Sequence, residues 1–334
     1  MKQNVVVMGG GTGTFTVLRG LKEHINTLNL TAIMTMADDG GSNKVLRDEF
    51  GLLPTSGIRQ AIVALSQDEG LLRELFTYRY YQGTGISGMT FGNLFMAALA
   101  DILQSQKKAI EETCRLMKVQ GKILPISYDD VRLLAEYEGG EEVLGEHLID
   151  EANHRVAHKR IIKFRTIPKA KIDPQAAQAI KQANLIILGP GDLYTNTIAN
   201  LVVDGVVENL LQSSARLVFV MNLMTKAGET YAYKASDFLQ DLNRYLPLKR
   251  LNDVIVNNNF NFPPNILKLY QQEEAEPVQD DLDQLKHLYP HLKIHRANLI
   301  SPELVKPIKG DKIKRSIIRH DHRKLAQVLI SCMM

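Results

Sequence analysis

Apolar and polar positions along this chain follow two rhythms, and the changes between them mark its elements. Residues 5–8 are a short continuous apolar run, Val-Val-Val-Met. Four glycines follow within five residues, Gly9, Gly10, Gly11 and Gly13, and Phe15, Leu18 and Leu21 then recur at helical spacing. That order predicts a strand, a tight turn and a helix. A second strand is predicted over residues 30–37, stopping at Asp38-Asp39-Gly40-Gly41-Ser42. Ile58, Ala61, Ile62 and Leu65, then Leu71, Leu72, Leu75 and Phe76, predict helix across 57–81 with a break at 68–70. Three glycines in 83–88 lead through Thr90-Phe91-Gly92-Asn93 into an apolar helix over 94–103.

Residues 119–172 change character. Short extended runs at 119–126, 131–137, 142–149 and 160–167, with Glu138-Gly139-Gly140-Glu141 as a hairpin turn, predict a small antiparallel lobe. Strand and helix then alternate again. A helix over 174–183 precedes a strand at 185–188 that meets Gly189-Pro190-Gly191-Asp192-Leu193-Tyr194-Thr195 and a helix near 198–207. A strand at 216–221 stops at Asn222, another at 253–256 stops at Asn257-Asn258-Asn259, and a last helix covers 325–330. The expected fold is α/β and Rossmann-like: a mostly parallel sheet with helices on both faces, built from 1–118 and 173–334, with the small β-rich lobe 119–172 inserted.

Composition narrows the reading only a little. With 334 residues, 45% hydrophobic and 23% charged, the chain can build a sizeable core. A net charge of +3 from 40 basic and 37 acidic side chains gives no global pull toward nucleic acid or a membrane surface. Cys114 and Cys332 lie far apart without a C-x-x-C partner, which argues against a disulfide framework and against a zinc site. No run approaches 18 apolar residues, so no membrane insertion is expected and the cytoplasm is the expected compartment.

The chemistry concentrates where apolar runs stop. Glycines let backbone approach a ligand, and the N–H groups opening a helix favour an anion, so residues 10–13 suit phosphate. The dinucleotide pattern G-x-G-x-x-G is incomplete, because the frame from Gly9 ends on Thr14 and the frame from Gly11 on Thr16. Asp38 and Asp39 end the second strand where a Rossmann fold places a carboxylate on a ribose, and they also suit a divalent cation. Asn93 reads equally as a ligand contact or part of a helix start at Thr90. In an open parallel sheet the carboxyl ends of all strands share one edge, which gathers Gly189, Gly191, Asn222, Asn257 and Asn258. Arg319, in Arg319-His320-Asp321, interrupts the approach to the last helix and could meet an anion. His154 and His158 stand four apart without further ligands and read as solvated.

These residues together resemble a known family. Gly9 to Gly13, Ala37-Asp38-Asp39-Gly40-Gly41-Ser42, Phe91-Gly92-Asn93-Leu94-Phe95, Leu188-Gly189-Pro190-Gly191 with Leu193-Tyr194-Thr195, Met224-Thr225 with Gly228-Glu229-Thr230, and Ile318-Arg319-His320-Asp321 occur in the order of the bacterial gluconeogenesis factor family. That family is similar in turn to 2-phospho-L-lactate transferase. The resemblance implies a Rossmann-like fold, binding of nucleotide sugars such as UDP-N-acetylglucosamine, and a role in cell shape and envelope synthesis on gluconeogenic carbon, through a possible protein partner. This chain departs from the pattern at Val45, where an arginine is usual, and at Met89, where a histidine is usual. Thr55-Ser56-Gly57-Ile58-Arg59-Gln60 lacks the usual carboxylate, and Asp192 replaces a serine and would repel a phosphate placed on it.

The leading expectation is a binding regulator. The diphosphate sits on Gly10, Gly11, Thr12 and Gly13. Asp38, Asp39, Asn93, Gly189, Gly191, Tyr194, Asn222, Thr225, Asn257 and Asn258 supply further contacts, and Arg319 closes over the ligand. No metal and no resident cofactor are expected; a nucleotide sugar or an NAD-like dinucleotide is the ligand. One alternative is a phosphotransferase in which Asp38 and Asp39 hold magnesium. A weaker one is an NAD-dependent oxidoreductase. No Ser-His-Asp or Cys-His set stands out as a catalytic constellation.

Overall fold

The computed structural model describes residues 1–67, 70–303 and 316–333. Its ten strands are β1 (Gln3–Gly9), β2 (Leu28–Met34), β3 (Lys122–Pro125), β4 (Arg132–Tyr137), β5 (Glu142–Leu144), β6 (Ile161–Ile167), β7 (Leu185–Leu188), β8 (Arg216–Val220), β9 (Asp253–Asn257) and β10 (Lys293–Ala297). Seven form one sheet in the order β10-β9-β8-β7-β1-β2-β3, and every neighbouring pair in it is parallel. The chain starts at the centre with β1, builds outward through β2 and β3, then returns to build outward from the other side of β1. The direction of winding reverses between β1 and β7.

Alternation within the strands divides the core in two. Val5, Val7, Leu185, Ile187, Val218 and Val220 face one side, where they pack with Leu18, Ile58, Ile62, Leu325 and Leu329. Val6, Met8, Ile186, Leu188, Leu217 and Phe219 face the other, against Ile180, Leu210, Phe238 and Leu242. Both faces are covered by helices, so central strands such as β7 are buried at every position. Each such aliphatic side chain contributes about 1.5–3 kcal/mol on burial.

The small sheet, β5-β4-β6, is antiparallel. Three details differ from the expectation. Residues 122–125 belong to the large sheet, as edge strand β3 paired with β2, so the small sheet begins only at Arg132. Residues 142–149 are not one extended run: β5 is three residues long, and Gly145, at φ +113°, turns the chain into a short helix, Glu146–Asp150. The helix after β7 starts at Leu193 as a π-helical turn, Leu193–Ile198, well before residue 198. Among the described residues no helix is long and apolar enough to cross a membrane.

Candidate functional site

The winding reversal places two glycine turns side by side. β1 ends at Gly9, Gly10 is extended, and the helix Gly11–Lys22 begins with Gly11 in the left-handed region at φ +59°. Gly10 gives no side-chain cap, so the opening N–H groups face outward without one. The turn after β7 packs directly on this start: a Cβ at Gly13 would lie 2.0 Å from the Pro190 carbonyl oxygen. Gly13 is therefore fixed by contact between the two turns. Asn196, on the π-helical turn, lies over the same place, its Oδ1 only 2.2 Å from where a Cβ on Gly10 would stand. Asn200, four residues on, donates from Nδ2 to the Asn196 carbonyl at 2.7 Å and to the Gly9 carbonyl at 3.4 Å. Sequence reading missed both asparagines, although their spacing puts them on one helical face.

Asp38 and Asp39 follow a three-residue link rather than ending the strand itself, since β2 stops at Met34. Asp38 Oδ1 accepts from the Gly40 amide at 3.0 Å, and Oδ2 accepts from Ser56 Oγ at 2.6 Å. Asp39 Oδ1 accepts from the His147 amide at 2.9 Å, so it grips the inserted lobe. Asn93 is buried, accepts from Arg59 Nε at 3.1 Å and donates to Ser42 Oγ at 3.2 Å.

A second group of charges was not foreseen as a unit. Lys226 Nζ donates to Asp150 of the lobe, lies 2.9 Å from Asp192 Oδ2 after β7, and lies 3.8 Å from Glu229 Oε1. The charge of Asp192 is thus answered by an ammonium, which offsets the repulsion of phosphate expected from it. Glu229, 1% exposed, also accepts from the Tyr194 amide at 2.8 Å, the Thr195 amide at 3.2 Å and Thr195 Oγ1 at 2.9 Å. Burial, reinforced by the charges of Asp192 and Asp150, pushes its carboxyl up to about 7. Burial, then Asp38 and Asp150, holds Glu146 well above the ordinary carboxyl range. Burial alone would lower Lys226, but the carboxylates of Asp192, Asp150 and Glu229 raise it well above its usual value.

Several expected contacts have structural partners instead. Tyr194 is 0% exposed, and its hydroxyl donates to Asp241 Oδ2 at 2.6 Å, which Tyr233 also reaches. It is a core residue. Thr225 is buried and pinned to Glu276, donating from its amide to the Glu276 carbonyl at 2.7 Å and accepting the Glu276 amide on Oγ1 at 2.9 Å. Asn257 Oδ1 accepts from the Leu299 amide at 3.1 Å, and exposed Asn258 donates from its amide to the Ala297 carbonyl at 3.0 Å. Both asparagines join β9 to the chain beyond β10. Asn222 Oδ1 is buried and has no partner among the described residues. Arg319 is partly exposed and donates from Nε to the Ser316 carbonyl at 3.2 Å. Its neighbour His320 hydrogen-bonds the Met221 backbone, which places this segment at the carboxyl end of β8, and burial pulls the His320 imidazole down to about 4.

A doubly wound parallel sheet, with two glycine turns abutting at its switch point and an uncapped helix start beside them, defines a Rossmann-like α/β protein. Comparison with known proteins agrees and narrows the class. Residues 5–300 match the model of the 2-phospho-L-lactate transferase CofD family, and the chain belongs to that family. It is 36% identical to the gluconeogenesis factor of Bacillus subtilis, over 98% of both chains. It is 40% identical to the gluconeogenesis factor of Halalkalibacterium halodurans, over 86% of this chain and 87% of that one. A crystal structure of a Bacillus halodurans protein superimposes with a TM-score of 0.88 at 36% identity, covering 99% of this chain and all of the other.

Proposed function

We propose that this chain is a gluconeogenesis factor that binds a nucleotide sugar across the β1–β7 crevice and acts as a cytoplasmic regulator of envelope synthesis and cell shape through a protein partner. The observation that carries the reading is the uncapped start of the helix at Gly11, seated against the second glycine turn. A diphosphate there would accept backbone N–H groups at the positive end of the helix dipole. Asn196 and Asn222 offer amides for the sugar or base, and neutralisation of Asp192 by Lys226 keeps that side of the crevice open to an anionic ligand.

Asp38 and Asp39 already accept hydrogen bonds from Gly40, Ser56 and His147, which supports positioning of loops and lobe over metal chemistry. The family's name favours a second reading, a magnesium-dependent phosphotransferase using those two carboxylates.

Calorimetry with UDP-N-acetylglucosamine, UDP, uridine and NAD, with and without chelator, separates the readings. Tight binding of the first two that persists in chelator and weakens in Gly11→Val is the expected result. Preference for uridine over UDP, or unchanged affinity in the folded variant, sinks the placement. Transfer or cleavage of the bound ligand with magnesium, lost in Asp38→Asn and Asp39→Asn, establishes the second reading. Preference for NAD points to the oxidoreductase.

A further inference from the structure

At the opposite edge of the sheet, the amino ends of β8, β9 and β10 gather groups that take no part in the crevice. Asp253 opens β9 and is 0% exposed. Arg216, opening β8, grips its carboxylate from one side, Nε to Oδ2 at 2.5 Å and Nη2 to Oδ1 at 2.8 Å. His295 on β10 brings Nε2 to 2.7 Å from Oδ1. Cys332, just past the helix His322–Ser331 and 2% exposed, brings Sγ to 3.6 Å from the same Nε2. The donor atoms of Asp253, His295 and Cys332 all lie within 4.8 Å of one another.

The arrangement is convergent rather than serial. In a thiol–imidazole–carboxylate proton relay, thiol and carboxylate meet different ring nitrogens. Here both meet Nε2, so the carboxylate occupies the nitrogen a nucleophilic thiol would need. Convergence on one point is what a cation requires. Tetrahedral zinc, with Zn–S near 2.3 Å and Zn–N near 2.05 Å, sets sulfur and nitrogen about 3.6 Å apart, the spacing found between Cys332 and His295. Zinc would set oxygen and nitrogen about 3.4 Å apart, so the His295 ring must move back from Asp253 by roughly 0.7 Å. Its side chain, 28% exposed on an edge strand, has room to do so. Each carboxylate oxygen has two lone pairs, so the grip of Arg216 leaves Oδ1 an acceptor position. The other trio of clustered donors among the described residues, Asp150, Asp192 and Glu229, already holds the Lys226 ammonium in its midst.

We propose that Asp253 Oδ1, His295 Nε2 and Cys332 Sγ form a site for one zinc-class cation, completed by water on the exposed side of His295. The mixed oxygen, nitrogen and sulfur set suits a borderline-soft d¹⁰ ion. On binding, Cys332 gives its proton to solvent, and His295 carries its own on Nδ1, freeing the Nε2 lone pair. The ion staples β9 and β10 to the end of the last helix, a region remote from the nucleotide crevice.

Cobalt is the probe, added to the full, reduced chain. The expected result is one cobalt per chain with a thiolate-to-cobalt charge-transfer band, displaced by zinc, and an unfolding midpoint that rises saturably with zinc. Cys332→Ser and His295→Gln should each abolish the band, and Cys114→Ser should keep it. Absence of the band, or a band that survives in either of the first two variants, overturns the assignment. Should Cys332→Ser fail to fold, His295→Gln on the half-exposed edge strand decides the matter alone.

Discussion

Glu229→Gln isolates one consequence of the charge group beside the crevice. The Glu229 carboxyl rises from 4.5 to about 7 because it is buried close to Asp192 and Asp150. Below pH 4.5 it is protonated both folded and unfolded, and its contribution to stability is fully present. As pH rises further, the unfolded chain releases the proton first and the folded chain keeps it until about pH 7, so stability is lost across that window. A gap of roughly 2.5 pH units corresponds to about 3 kcal/mol. Glutamine keeps an acceptor for the Tyr194 and Thr195 amides but has no proton to lose. Urea unfolding of both proteins at about pH 4 and about pH 8 should therefore show near-equal stability at the lower pH, with the variant ahead by about 3 kcal/mol at the higher. Carboxyls remote from this group steepen both curves equally, so the difference between them reports Glu229 together with the charges of Asp192 and Asp150 that face it. A difference that stays constant with pH would mean that Glu229 is ionised throughout, and the reasoning from burial would fail.

Two further changes test the crevice. Gly13→Ala drives a methyl into the Pro190 carbonyl, so it should lower stability by about 1–3 kcal/mol through overpacking and weaken nucleotide binding as the turns separate; a urea midpoint equal to the parent would refute the packing argument. Arg319→Ala should reduce affinity for UDP-N-acetylglucosamine by about tenfold or more with little change in unfolding midpoint, as removal of one charge-assisted contact does, and an unchanged dissociation constant would place Arg319 outside the site.

Much of the frame could be read from the chain because its strands are buried on both faces. Runs such as 185–188 and 254–256 carry no polar interruption, and glycine, aspartate or asparagine punctuates their carboxyl ends. What could not be read was which punctuating residue meets a ligand and which meets the protein. Tyr194 follows a glycine turn, as a ligand residue would, yet its hydroxyl belongs to Asp241, 47 residues away. Thr225 is claimed by Glu276 and Asn257 by Leu299. Such partners are set by tertiary packing, and local pattern carries no trace of them. Lys226 stayed hidden for the same reason, since Asp150 approaches it across 76 residues from the other side of the inserted lobe. The edge strand at 122–125 looked like its neighbours in the lobe because four residues with one buried side chain in two resemble any short strand.

The short helix Glu146–Asp150 acquires a role from its two ends. Asp39, from the half of the sheet that winds outward through β2, holds the His147 amide, and Lys226, from the half that winds outward through β8, holds Asp150. The lobe is thus tied to both halves of the sheet through this one helix, as a keystone is held by both piers. Tyr137, bonded to the Gly228 carbonyl, adds a buttress behind it. Neither half can shift away from the other without straining the Asp39–His147 or the Lys226–Asp150 contact, because both meet on this helix. Spreading the two halves and lifting the lobe are therefore one movement.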